Sequence, residues 1–318
     1  MKAWLIVAGS LVLAGVLLFV GVMSASGWNF FALNTPPYEE IVYEMSEDFS
    51  SISIQEDTAK ISFVPYDGEV ARVECFSQRK ITHDVSVENG ELKIAIVDGR
   101  AWYDHITLFS FASSSVKVYL PKTTYGALAV RSHTGDVIIP NDFAFERIEV
   151  EASTGDVACA ASATEEISLK VGTGDVKVEN VTCGKLTLSS TTGMIDVSGV
   201  ACAGEVSMKA STGTGEVRDL TCGSLVSTAN TGELLLTRVL VTDSLSVTRN
   251  TGDVTLDDCD AGTIVIRTNT GEVKGTLRTE KIVFAKTETG RVDVPHSTNG
   301  GRCEITTDTG DIKISILG

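Results

Sequence analysis

Across 318 residues, 42 acidic side chains oppose 26 basic ones, a formal net charge of −16. Such a surface repels phosphate backbones and anionic lipid headgroups, which excludes nucleic acid as a partner and keeps the body of the protein off the membrane plane. Seven cysteines without a C-x-x-C pair and four scattered histidines exclude a zinc centre and a short disulfide framework.

The first element is an uncharged run over residues 3–23. About 20 apolar residues suffice to cross a bilayer as a helix, so residues 1–23 read as a transmembrane anchor. Small residues Ser24, Ala25 and Ser26 keep a cleaved export signal, and with it a secreted form, as the alternative. Lys2 precedes the run while Glu39, Glu40 and Glu44 follow it, which orients the amino terminus to the cytoplasm and the body outside. Residues 24–40, with Asn34-Thr35-Pro36-Pro37, form a short stiff linker.

Residues 41–130 alternate apolar and polar in short runs such as Ile52-Ser53-Ile54 and Leu92-Lys93-Ile94-Ala95-Ile96, broken by Asp67-Gly68, Asn89-Gly90 and Asp98-Gly99. These are strands joined by turns, irregular in spacing, and suited to capping one end of a stack. One stretch departs from the pattern: Trp102, Tyr103, Phe109 and Phe111 gather within ten residues of a chain that is 6% aromatic. A hairpin that seals the apolar end of the stack accounts for it. A loop contacting sugar or protein is the functional reading, with those four side chains as the contacts.

From residue 131 to 318 a glycine recurs at intervals of 19 or 20: Gly135, Gly155, Gly174, Gly193, Gly213, Gly232, Gly252, Gly271, Gly290 and Gly310. Two and four residues after nearly all of these glycines the chain is apolar, as in Val157/Cys159, Val176/Val178 and Val292/Val294, and a second alternating pair follows a corner, as in Leu186/Leu188 and Ile264/Ile266. One coil cannot bury its own apolar face, but stacked coils form a continuous narrow core. The fold class is therefore all-β, a single-stranded parallel β-solenoid of about ten coils with an irregular β N-terminal cap, preceded by one transmembrane helix. The glycine turns the chain at positive φ, and neighbouring Asn230, Asn250 and Asn269 are suited to stacking in a ladder. Cysteines 159, 183, 202, 222 and 259 occupy columns that hold Val, Leu or Ala in other coils, so they read as buried packing groups, a disulfide between coils being the alternative.

Chemistry is harder to find. The acidic column after the glycines is interrupted by Met194, Thr214 and Arg291 and lacks the G-G-x-G-x-D pattern of calcium β-rolls, so it reads as a solvated corner. Neither H-E-x-x-H nor G-x-S-x-G occurs, and Gly172-Thr173-Gly174 lacks the third glycine of a nucleotide loop. The expectation is no catalytic residue, no metal and no cofactor.

The Thr154-Gly155-Asp156-Val157 turn, the Val181–Leu188 coil and the entry Val116–Pro121 together resemble the bacterial β-strand-repeat domains of unknown function commonly labelled adhesin-like, over residues 41–318. The resemblance implies an envelope-attached solenoid without an active site, and for some relatives a link to envelope-stress signalling. The resulting expectation is a non-enzymatic scaffold held at the membrane by its first helix, with an unknown protein or cell-envelope glycan as partner. A second expectation is end-to-end self-association in the manner of bactofilins, because residues 311–318 close on an apolar strand without an evident cap. A glycan-active β-helix enzyme is the third and weakest reading.

Overall fold

The computed structural model describes residues 2–25, 27–28, 38–99 and 113–317. Lys2–Ala25 is one continuous helix. At ~1.5 Å per residue its 24 residues span about 36 Å, enough for a hydrocarbon layer. Leu11, Leu13, Leu17 and Leu18 are each more than 60% exposed, while Met23 near its end is buried.

The rest of the described chain is a β-solenoid of stacked coils around one apolar core. Each coil contributes two parallel ladders. In the first, Val137–Ile139, Val157–Cys159 and Val176–Glu179 stack in register, Val157 opposite Val137 on one side and Val176 on the other. In the second, Leu128, Ile148, Ile167 and Leu186 align along the axis, as do Val130, Val150, Leu169 and Leu188. Period-two alternation puts these side chains inside, where they are 0–1% exposed. Bulges in the second ladder, such as that between Phe145 and Arg147, absorb the difference between 19- and 20-residue repeats without moving an apolar side chain to the wrong face.

Two columns make the corners. At the repeat glycine φ is strongly positive, +130° at Gly155, and a Cβ there would lie 2.3 Å from the Gly135 carbonyl oxygen in the coil below. Both the backbone angle and the close approach of the neighbouring coil demand glycine. Six residues later a second corner uses left-handed residues: Asn180, Gly199, Asp219, Arg238 and Asp258, at φ between 52° and 63°. Asparagine and aspartate tolerate that region. Arg238 does not by itself, and is held by a two-pronged bond to Asp219, Nε to Oδ1 at 2.6 Å and Nη2 to Oδ2 at 2.8 Å.

The coils do not all stack in chain order. At the amino end, Ser51–Glu56 lies between Glu91–Asp98 and Thr124–Thr134, and Ala59–Tyr66 lies between Ser114–Pro121 and Val137–Ile139. Antiparallel strands then finish that end. Ile81–Glu88 pairs with Glu91–Asp98 through a turn with positive φ at Asn89 and Gly90, while Ala71–Gln78 joins Ser114–Pro121 to Tyr38–Met45.

The far end corrects a sequence-based expectation. The apolar strand Ile312–Ile316 is not the last layer: it pairs along its length with Val273–Leu277 on one side, and its first two residues, Ile312 and Lys313, pair with Val292–Asp293 on the other. Gly301–Thr309 is likewise enclosed between Val254–Thr270 and Lys281–Thr289. The Gly310 coil has slipped inside the Gly290 coil, which becomes the outer layer. The reason is apolar content. Cys303, Ile305 and Ile312 become fully buried and Ile314 is 4% exposed, whereas Val283 and Ala285 of the outer coil are only half-buried. Val292, expected to face inward, is 46% exposed for the same reason.

Candidate functional site

The ten repeat glycines form one structural column, and the acidic residues beside them form another with a specific task. Asp136 Oδ1 accepts from the backbone N–H of Asp156 at 3.2 Å, Asp156 from Asp175 at 2.8 Å, and Asp175 from Met194 at 2.7 Å. Asp253 does the same for Glu272 and Asp311 for Arg291, both at 2.8 Å. Each carboxylate ties its coil to the adjacent one rather than lying open to a cation. Aspartate has the right reach, and no group of three or more His, Cys, Asp or Glu side chains among the described residues is placed to hold a metal. The asparagines also bridge coils: Asn250 Nδ2 donates to Asn230 Oδ1, and Asn269 Nδ2 to Asn250 Oδ1 at 3.4 Å.

An open groove of about 780 Å³ lies on the second ladder's outer face, near the amino end. Arg131, Glu151 and Lys170 stand along it on three successive coils, four residues before their glycines. Glu151 takes Arg131 Nε at 3.6 Å on one oxygen and Lys170 Nζ at 3.4 Å on the other. His133 Nδ1 lies 3.5 Å from Asp57 at the same wall, and Ser153 and Ser189 add hydroxyls. Exposed pairs of this kind contribute only ~0–1 kcal/mol, so a ligand can displace them at little cost. The groove offers fixed charges of both signs and hydroxyls, a donor and acceptor set suited to a polyhydroxylated ligand or a polar protein surface. Asp98 marks its rim. The aromatic contacts expected from the sequence, Trp102, Tyr103, Phe109 and Phe111, lie outside the described residues.

All seven cysteines are free and buried. Burial pushes the thiols of Cys75, Cys159, Cys222 and Cys303 up to about 12, which makes them inert packing groups. Cys183 and Cys202 pair in register on adjacent coils. Cys202 Sγ donates to Gly184 O at 3.5 Å, and its interaction with the neighbouring thiol raises Cys183 and lowers Cys202.

A second buried polar pair closes the amino end. His83 Nε2 and Glu56 Oε1 are 2.5 Å apart with both side chains essentially inaccessible. Neither this pair nor the groove is apparent from a linear reading. The groove had a usable signal, since alignment on the glycines puts Arg131, Glu151 and Lys170 in one outward column. His83 had none, because its partner lies 27 residues away in an irregular region.

A family model described as Toastrack DUF4097 matches residues 49–209 and 200–318, which is nearly all of the β-solenoid. The chain belongs to the Toastrack DUF4097 family. No curated protein matches it. Among solved structures, this Toastrack chain is similar to a candidate adhesin from Parabacteroides distasonis ATCC 8503 at 14% identity, covering 86% of this chain and 97% of that one, with a TM-score of 0.46. A candidate adhesin from Bacteroides fragilis NCTC 9343 aligns over 88% of this chain and 99% of its own at 13% identity and a TM-score of 0.40. A third, named for candidate lipid binding and also from Parabacteroides distasonis ATCC 8503, covers 74% of this chain and 96% of its own at 13% identity, with a TM-score of 0.36.

Proposed function

We propose that this Toastrack protein is a non-enzymatic envelope scaffold, held by its first helix with the body outside the cytoplasm, and that it binds a cell-envelope glycan along the Arg131–Glu151–Lys170 groove. The observation that carries the reading is the groove itself: charges fixed on a rigid parallel sheet, paired too weakly to resist a ligand. A bound glycan's hydroxyls would take Glu151 as acceptor and Arg131 and Lys170 as donors. The acidic body, standing off anionic lipid, favours presentation of this face away from the bilayer.

Binding of soluble cell-wall glycan fragments to the detergent-solubilised full chain tests it. The double variant Glu151→Gln/Lys170→Met should weaken binding at least tenfold. Equal affinity in native and variant proteins removes the groove from the reading, and no binding by the native chain removes the glycan.

A second reading, end-to-end self-association, rests on a different feature. The outer edge of Lys281–Thr289 pairs with no other strand among the described residues, so its backbone offers a template for another parallel strand. Sedimentation that finds only monomer at high protein concentration overturns it.

A further inference from the structure

Three departures from the repeat converge at one point inside the solenoid. Two residues after the glycine, where other coils carry Val137, Val157, Val176, Ile195, Leu234 or Val254, the Gly213 coil has Gly215. Five residues before the glycine, in a column of Val, Leu, Met and Ile, the Gly232 coil has Ser227. Three before it, where neighbouring coils carry Ser190, Ala210, Ala229 or Thr268, the Gly252 coil has Arg249. These are three successive coils. Arg249 is 3% exposed and Ser227 1%, so the guanidinium lies in the core and runs along the axis. Its Nη2 donates to Ser227 Oγ at 2.9 Å, and a Cβ on Gly215, two coils away, would sit 3.7 Å from that nitrogen. The missing valine side chain at position 215 is the space that the arginine enters.

The cation is nearly alone there. Arg249 Nε is buried without a hydrogen-bond partner among the described residues. A cavity of about 10 Å³ adjoins it, lined by Gly215, Ser227, Arg249, Met208, Ile195 and Thr214 among others, with no acidic side chain. Burial is the cause that lowers this guanidinium, to about 10, and it remains charged at neutral pH. Isolating a charge in an apolar interior is costly unless it is compensated. Room of that size admits a single small body and excludes sulfate, phosphate or a carboxylate.

We propose that the Gly215–Ser227–Arg249 niche binds one monatomic anion of the halide class, chloride in practice, which neutralises Arg249 and locks the three middle coils together. Arg249 supplies the charge, Ser227 directs its hydroxyl hydrogen to the anion while accepting from Nη2, and Gly215 supplies the volume. The site lies within the stack and is separate from the outer groove.

The test is thermal unfolding of the detergent-solubilised full chain in sodium chloride or bromide against sodium gluconate at equal ionic strength. A ligand held only by the native state should raise Tm by about 2–4 °C for each tenfold increase in halide above its Kd. Arg249→Met should abolish the halide-specific rise. Bromide-soaked crystals of the native protein should show an anomalous peak within hydrogen-bond reach of Arg249, a measurement independent of how the variant folds. Equal halide sensitivity in native and variant proteins overturns the proposal. So does a niche that holds only water in bromide.

Discussion

The two ends of the solenoid solve one problem differently. Both stack an aliphatic-rich coil out of chain order: Ser51–Tyr66 lies beneath Glu91–Asp98 and Ser114–Pro121 at the amino end, and Gly301–Ile316 lies between Val254–Leu277 and Lys281–Asp293 at the other. They differ in the outermost layer. At the amino end strand direction reverses, through Ile81–Glu88 and Ala71–Gln78, which stops the parallel template. At the far end the template runs out on a parallel strand and is protected only by its residues, with exposed Lys286 and Glu288 along the edge and the Arg302 guanidinium 5.1 Å over the ring of the half-exposed Phe284. Closing a stack by topology requires extra strands, whereas closing it by composition requires only a polar last coil.

Four variants probe that contrast. The largest effect should come from the topologically closed end: His83→Ala strips the partner from buried Glu56 and should destabilise by about 3–5 kcal/mol in chemical denaturation. A loss below ~1 kcal/mol would mean that the antiparallel strands, not the pair, secure this cap. Next, Ile305→Ala in the enclosed Gly310 coil should cost about 2–5 kcal/mol, while Val292→Ala in the outer coil should stay within ~0.5 kcal/mol. The reverse order of those two costs would break the exchanged stacking. The smallest effect concerns pH. Arg278 donates to Asp258 at 2.6 and 2.7 Å and holds its carboxyl below the usual aspartate value. A carboxyl depressed in the folded state adds stability above its unfolded pKa, near 3.9, and that stability disappears as pH falls through the lower folded value. Asp258→Asn should therefore flatten the acid limb of a stability-versus-pH curve while leaving the curve's shape above pH 6 unchanged.

The repeat was legible because each coil must satisfy the same local demands. Gly155 is needed for its angle and for its contact with the coil below, so the column is written in the sequence ten times. The stacking order of the last two coils was not legible from the period, since Gly290 and Gly310 carry the same spacing. The usable signal was chemical: Ile305, Ile312 and Ile314 against Ala285, Val292 and Val294. The acidic column was visible but its task was not, because a carboxylate bonding the N–H of a residue 19 or 20 positions away becomes apparent only once coils are stacked. Asn89-Gly90 announced a hairpin locally, while the pairing of Tyr38–Met45 with Ala71–Gln78 depends on chain closure over a long loop, which composition does not encode. Arg249 stood out least, as one charged residue among many, until its column proved to face inward.

The exchanged coils also set an order of events during synthesis. Lys281–Asp293 leaves the ribosome before Gly301–Ile316, yet its native neighbour is the later segment. From the Gly135 coil the growing rod can zip one coil at a time as far as the Gly271 level, after which one coil must wait undocked until the next has emerged and slid beneath it. Assembly of the far end is therefore a step that cannot proceed vectorially.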